Sequence, residues 1–254
     1  MPCAPTFLMM NQAKEHYSYR IYADPEVART FDEDRFGGAI GELIRTAQEK
    51  AVFSVLPQIT GWKVIDVGAG TGRLTIPFLN AGAQVTACDA SPTMLQVLRE
   101  KTTTENLQIV ISDAHHLEFR DRSFDCAVGF RVLLHVIDWK KALAELCRVS
   151  RDWLIFDLPP HHGFLRFAPL YHKLKSRSQN LQNYRTFPLE QIRRELQVSG
   201  FRIEHIDHGF FLPLALHRFL SSRSFTLSVE NFFSRAGLTR KFGSPFTFFA
   251  RRSE

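Results

Sequence analysis

The sequence predicts an α/β protein built on a doubly wound, mostly parallel sheet, on three observations. Short apolar runs alternate with stretches of helical spacing, the first run ends in a glycine-rich turn, and an acid stands at or just past the end of each of the first three runs. At 254 residues the chain is long enough for one such domain with elaborations, and it needs neither disulfides nor a metal to hold a core. A composition 44% hydrophobic and 23% charged excludes the disordered and fibrous classes.

Before the sheet, Pro25–Leu56 has a helical pattern interrupted by Gly37-Gly38, and it should pack outside the sheet or over its edge. Trp62–Val67 reads as the first strand and Arg73–Leu79 as the helix after it. Gln84–Cys88 is the second strand, after which Ser91 caps a helix through Arg99 with Pro92 in its first turn. Leu107–Ile111 and Phe124–Gly129 are the third and fourth strands, followed by a helix over Trp139–Val149. Trp153–Asp157 is the fifth, closed by Pro159-Pro160, which a central strand cannot accommodate.

Beyond Pro160 the pattern is irregular until Pro188, where a helix resumes through Leu196 and stops at Gly200, placed as a C-terminal cap. Phe201–Ile206 and Pro245–Arg251 are two late strands, making seven. Leu212–Phe242, between them, is too long for a hairpin and should carry helices. Residues 1–60 are thus a helical N-terminal segment and 61–254 the α/β part of a single domain, with insertions at about 161–187 and 212–243.

Cys3, Cys88, Cys126 and Cys147 are scattered without a C-x-x-C pair, which excludes a disulfide framework or a zinc site and points to free thiols in a reducing, cytoplasmic setting. The start of the chain has neither a basic n-region nor a long apolar run, so no signal peptide or spanning helix is expected there. The net charge of +6 is uneven: residues 1–159 hold 17 Lys and Arg against 20 Asp and Glu, and residues 160–254 hold 15 against 6. A basic C-terminal third, in a chain with 23 phenylalanines, suits an anionic small molecule, a membrane touched from outside or a nucleic acid; a solvated basic face explains it equally well.

The most informative stretch is Asp66-Val67-Gly68-Ala69-Gly70-Thr71-Gly72, where a strand end passes through three alternate glycines into a helix. Glycines there admit unusual backbone angles and let a ligand approach the main chain. A dinucleotide fingerprint would need its third glycine where Arg73 stands, which disfavours a nicotinamide-dependent oxidoreductase. Asp89, at the end of the second strand, is placed to accept hydrogen bonds from ribose hydroxyls. Asp113, after the third, can accept one from the exocyclic amine of an adenine.

From about Val64 to Asp157 the sequence resembles class I S-adenosylmethionine-dependent methyltransferases, particularly the small-molecule group of the ubiquinone/menaquinone-biosynthesis type. The matching stretches are Val64–Leu74, Cys88–Leu95, Ser112–Ala114, Ser123–Val128 and Arg131–Val136, in order. The resemblance implies a Rossmann-like fold with Pro245–Arg251 inserted antiparallel beside the fifth strand, and S-adenosylmethionine as cofactor. It also implies that Gly68, Ala69, Gly70 and Gly72 line the methionine part and Asp66 its amino group. Asp89, with Ala90 beside it, would hold the ribose, Met94 the adenine face, and Asp113 and Ala114 the adenine edge. Phe130 and Arg131 would close the methionine side, and the insertions would form the acceptor lid.

His135, just past the fourth strand, is the first candidate for a base that takes the acceptor's proton, although packing explains a histidine there as readily. His161 and His162 follow. No histidine pair has metal spacing, and no metal is expected. Tyr17, Tyr19, Tyr22, Phe31, Arg35 and Phe36 stand in a segment able to fold over the cofactor, where aromatic faces attract a sulfonium and Arg35 would meet its carboxylate. Packing on the sheet edge is the plainer account of those rings. Asp157-Leu158-Pro159-Pro160 reads as a strand terminator.

The reaction expected is methyl transfer to an oxygen, nitrogen or carbon of a small acceptor, apolar or lipid-like with an anionic group, or quinone-like. An RNA acceptor is the less favoured alternative, and a cofactor-binding partner protein without catalysis is another.

Overall fold

The structure, a computed structural model, describes residues 16–160, 185–212 and 222–253. Three helices come first: α1 (Tyr17–Tyr22), α2 (Pro25–Phe36) and α3 (Gly38–Val55). The sheet then builds through β1 (Lys63–Val67), α4 (Thr75–Asn80), β2 (Gln84–Asp89), α5 (Pro92–Lys101), β3 (Leu107–Ile111), β4 (Phe124–Gly129), α6 (Trp139–Val149) and β5 (Ser150–Leu158). It is completed by α7 (Leu189–Val198), β6 (Phe201–Asp207), α8 (Arg223–Arg235), α9 (Leu238–Phe242) and β7 (Phe246–Arg252).

The seven strands lie in the order β3-β2-β1-β4-β5-β7-β6. β1 pairs in parallel with both β2 and β4, so the winding direction reverses between β1 and β4, and the loops leaving their carboxyl ends part there to leave a crevice. β7 is antiparallel to β5 and to β6, with Ile155 opposite Phe249. The seventh strand therefore sits inside the sheet, as the resemblance implied.

Local chemistry accounts for these elements. Central strands covered on both faces read as unbroken apolar runs, as in β4 and β5, where Ala127, Val128, Leu154 and Ile155 are fully buried. Ser91 caps α5 by accepting the Met94 N–H, and Asp138 caps α6 by accepting those of Lys140 and Lys141. In α6 the buried Trp139, Ala142, Leu143, Leu146 and Cys147 recur at three- and four-residue steps and define the stripe that faces the sheet.

The core has two main faces. One joins α6 and α7 to Ile65, Ala127, Leu154 and Phe156; the other joins α3 and α4 to Val64, Val128, Ile155 and Phe249. Directly paired residues share a face, so Asp157, Thr247 and Asp207 form a polar row at the carboxyl edge of β5 on the α3–α4 side.

Two elements differ from expectation. β5 begins at Ser150, directly after α6, rather than at Trp153. Its polar start is held by Arg252, whose guanidinium donates to the Ser150 and Cys147 carbonyls. The six-residue α1 was not apparent as a helix in the sequence. No helix among the described residues is long and apolar enough to cross a membrane.

Candidate cofactor and acceptor site

The turn after β1 is shaped by three glycines at positive φ, +72° at Gly68, +55° at Gly70 and +90° at Gly72. They answer different needs. A Cβ at Gly72 would lie 2.3 Å from Leu98 Cδ1, so that glycine serves the packing of α5, whereas a Cβ at Gly70 would meet nothing within 4 Å. Gly70 therefore faces open space, and its N–H donates to Asp89 Oδ2 at 2.9 Å. Asp89 Oδ1 accepts the Ser91 N–H at 2.8 Å, so the carboxylate is aimed by backbone on both oxygens and keeps lone pairs for ligand hydroxyls. Burial raises its pKa.

Asp66 lies beneath this turn. It is buried, its Oδ2 accepts the Thr75 hydroxyl at 2.7 Å, and burial pushes its pKa up to about 6. Ala69 and Met94 are also buried, and Ala90 is exposed on the outer lip. From outside, α2 clasps the turn: Asp32 Oδ1 accepts the Thr71 hydroxyl at 2.6 Å, while Lys101 pairs with Asp32 and donates to the Thr71 carbonyl at 2.9 Å.

Past the end of β3, beyond Asp89 on the same side of the crevice, stands Asp113, with Ala114 buried beside it. Its Oδ1 accepts the His115 N–H at 2.8 Å and His115 Nδ1–H at 2.6 Å, and its Oδ2 accepts the Tyr19 hydroxyl at 2.7 Å. His115 Nε2 accepts the Asp138 N–H at 3.1 Å, which fixes the proton on Nδ1. Burial works against the Asp113 charge, but these hydrogen bonds outweigh it and hold the carboxyl at about 2.

α1 lies over this end of the crevice. Besides the Tyr19 contact, Tyr17 Oη is 2.6 Å from His135 Nδ1, and the Tyr22 ring stands edge-on to His135 at 5.9 Å. The Tyr22 and Ala23 carbonyls accept from Ser91 and Thr93, which pins the helix to the start of α5. His135 is 8% exposed, and burial first, then the Arg131 and Arg35 charges, push its pKa down to about 3. It is thus a neutral imidazole near neutrality. Arg35, in the last turn of α2, lies 5.9 Å from the Phe31 ring.

Past β4, Phe130 is buried and Arg131 adopts φ +58°. The Arg131 N–H donates to Asp157 Oδ1 at 2.5 Å, so the buried acid at the end of β5 fixes this unusual turn. Arg73 lies in the same region, 4.4 Å from the Phe36 ring and 6.0 Å from that of Phe130. Its Nε and Nη2 and Asp157 Oδ2 are buried without a hydrogen-bond partner. Burial lowers the Arg73 pKa to about 10, with the Asp157 charge opposing the fall.

Farther along the carboxyl edge, a cavity of about 210 Å³ opens between α3, the ends of β6 and β7, and helices α8 and α9. Gln48, Asp207, Glu230, Asn231 and Thr239 are among its lining residues, and Thr247, Asp157's partner across the strands, forms part of its floor. The described lining contains two acids and no base. The basic groups near the site, Arg35, Arg73 and Arg131, lie instead toward the glycine turn.

The structure therefore brings Gly68, Ala69, Gly70, Gly72, Asp66, Asp89, Asp113, Phe130, Arg131, Arg35 and His135 to one edge of the sheet. His161 and His162 lie outside the described residues. Sequence reasoning did not assign Asp157, Arg73, Asp32 or Thr71 to the site. Of these, only Asp157 and Arg73 carried a visible sign, a charge within or beside an apolar run. Among the described residues no group of three or more His, Cys, Asp or Glu is placed to hold a metal.

A mostly parallel seven-stranded sheet with an antiparallel β7, a crevice at the β1–β4 reversal, a three-glycine turn and acids at three strand ends defines the methyltransferase class of α/β fold. The methyltransferase domain family matches residues 65–153. A demethylmenaquinone methyltransferase of Staphylococcus aureus (strain JH9) is 34% identical over 215 residues, covering 75% of this chain and 87% of the relative. Another, of Thermobifida fusca (strain YX), is 35% identical over 138 residues, 50% of this chain, and here the chain spans only 58% of the relative's length. Among solved structures, magnesium protoporphyrin IX methyltransferase from Synechocystis PCC 6803 with bound SAH superposes with a TM-score of 0.59 at 19% identity, over 85% of this chain and 88% of that one. The chain belongs to the class I S-adenosylmethionine-dependent methyltransferase family.

Proposed function

We propose that this chain is an S-adenosylmethionine-dependent methyltransferase that acts on a small, quinone- or lipid-like acceptor in the cytoplasm, at or near a membrane surface. The observation that carries the reading is the open space above Gly70, bounded by an Asp89 carboxylate that the Gly70 and Ser91 N–H groups hold in place. This is room for a ligand against bare backbone, beside an acceptor for ribose hydroxyls. The relatives supply the class of chemistry, since their names are those of methyltransferases for quinone and porphyrin acceptors.

In this reading Gly68–Gly72 and Asp66 hold the methionine end of the cofactor, Asp89 and Ala90 the ribose, and Met94, Asp113 and Ala114 the adenine. Arg35, Phe130 and Arg131 close the methionine side, and helices α1–α3 form the cap; of the lid expected at 161–187 and 212–243, residues 161–184 and 213–221 lie outside the described residues. Bound there, the cofactor supplies a methyl group on a sulfonium. The chain's own part is orientation and exclusion of water, and alignment of reacting groups supplies ~7 kcal/mol or more of barrier reduction. The cavity beside α8 would take the acceptor, and its acidic lining suits a polar end that donates hydrogen bonds. An anionic group on the acceptor would turn toward Arg73 and Arg131. His135, kept neutral, would orient an acceptor hydroxyl and is a weak proton acceptor; His161 is the other candidate base. Buried free thiols at Cys88, Cys126 and Cys147 agree with a reducing compartment.

Calorimetric titration with S-adenosylmethionine, S-adenosylhomocysteine and NADH tests the reading. Binding of the first two and not the third is expected, with weaker binding by the Asp89→Ala variant. NADH binding alone, or none at all, would overturn it.

A further inference from the structure

Among the described residues, helix α8 is held in place through one of its faces. Thr226 is buried, the Phe233 ring stacks on Phe211 at 3.8 Å, and Glu230 accepts the Phe211 and Leu212 N–H groups. Glu230, Asn231 and Ser234 also line the cavity at the sheet edge. The other face presents Phe225, 50% exposed, and Phe232, 66% exposed. Seven residues apart, they project from the same side of the helix two turns from each other. Arg223 and Arg235 stand at the two ends of α8, and Arg240 and Lys241 on α9, all four exposed. The one acid between residues 222 and 242 is Glu230, which is turned inward.

We propose that the outer face of α8, with the basic ends of α8 and α9, docks on an anionic lipid bilayer, with the Phe225 and Phe232 rings entering the headgroup region. Two rings on one helix face flanked by cations of a single sign are the pattern of a helix that lies on a membrane rather than one that crosses it. The cations complement anionic headgroups. They repel a second copy of the same face, which would set four cations against four. A single-stranded nucleic acid is held in a groove that tracks its backbone, whereas these rings stand on a convex helix surface. Because the opposite face of α8 borders the cavity, a docked α8 would separate the bilayer from the acceptor chamber by one helix thickness. The proposal rests on the membrane location and acceptor chamber proposed above and names the surface that meets the bilayer, while standing apart from the cofactor assignment.

The test is co-sedimentation of the full chain with vesicles of phosphatidylcholine alone and of phosphatidylcholine with phosphatidylglycerol, at physiological salt. Binding to the anionic vesicles is expected, with a loss of about tenfold or more on Phe225→Ser/Phe232→Ser and again on Arg235→Glu/Arg240→Glu. Calorimetric affinity for S-adenosylhomocysteine in solution should be unchanged in both variants, which shows them folded and separates failure of docking from failure of the cofactor assignment. A Phe232→Trp variant should still bind, its added fluorescence quenched by brominated lipid. Equal binding to neutral vesicles, full binding by the serine variant, an unquenched tryptophan, a dimer broken by the serine variant, or tighter capture of RNA than of vesicles would each overturn the proposal.

Discussion

The Tyr19 hydroxyl donates to Asp113 Oδ2 at 2.7 Å, joining a helix that precedes the sheet to the carboxylate at its far side. Asp113 is the residue proposed to receive the adenine amine, and its other oxygen already accepts twice from His115. The oxygen facing Tyr19 keeps a second lone pair, so Tyr19 would hold the carboxylate in place for the adenine amine rather than compete with it. Tyr19→Phe should weaken S-adenosylhomocysteine binding about fivefold, the worth of a net hydrogen bond of ~1 kcal/mol. Calorimetry reads this directly; tighter binding in the variant would mean that Tyr19 occupies the ligand's place instead.

Gly70 and Gly72 should separate binding from stability. Gly70→Ala adds a methyl to open space at φ +55°, so it should cost only ~1 kcal/mol of stability from strain while abolishing cofactor binding. Gly72→Ala drives a methyl into Leu98, a buried residue of α5, and should lower stability by ~1–3 kcal/mol beyond that strain. Urea unfolding and calorimetry on the two variants check the contrast, and it fails if Gly70→Ala binds as the wild type does.

Asp66 makes stability depend on pH in an unusual sense. Its folded pKa, about 6, lies above the ordinary 3.8, so the folded chain binds more protons between these values. The contribution of Asp66 to stability is therefore largest below about pH 4, falls as pH rises, and is least above pH 6. Asp66→Asn, which can still accept from Thr75, removes this penalty. Its stability relative to wild type should rise between pH 4 and 6 and then level off, as thermal unfolding at a series of pH values would show. A difference independent of pH would refute the cause given.

For His135 the expected behaviour is silence. With its pKa held near 3 by burial and by Arg131 and Arg35, its NMR titration should show no protonation above about pH 5. The pH profile of methyl transfer should likewise lack an inflection near 6.5 that His135→Gln removes. Such an inflection, removed by that substitution, would make His135 a working base.

The elements legible in the sequence were those with a local cause. β3 and β4 were read residue for residue from their apolar runs, and α5 from Ser91 and Pro92. What escaped depends on contacts remote in the chain. α1 has too few residues for a periodic pattern and is fixed by Tyr17, Tyr19 and Tyr22 meeting His135, Asp113 and Ser91. Asp157 looked like the end of a strand, because nothing nearby in sequence reveals that it holds the Arg131 turn. The glycine turn and Asp89 were readable because their partners follow within about twenty positions; the clasp of Asp32 on Thr71 comes from a helix on the other side of β1.

The placement of β7 between β5 and β6 bears on how the protein is made. Ribosomal synthesis delivers β5 and then β6 well before β7, yet β6 has no strand to pair with until β7 arrives. Through that interval the growing chain carries an unpaired edge on β5 and an undocked β6, with Phe246, Phe248 and Phe249 still to come. Such an edge invites pairing with other nascent chains. Yield in the cell should therefore depend on a chaperone that shields β5 during translation, and slowing the ribosome just before the β7 codons should increase aggregation without altering the folded product.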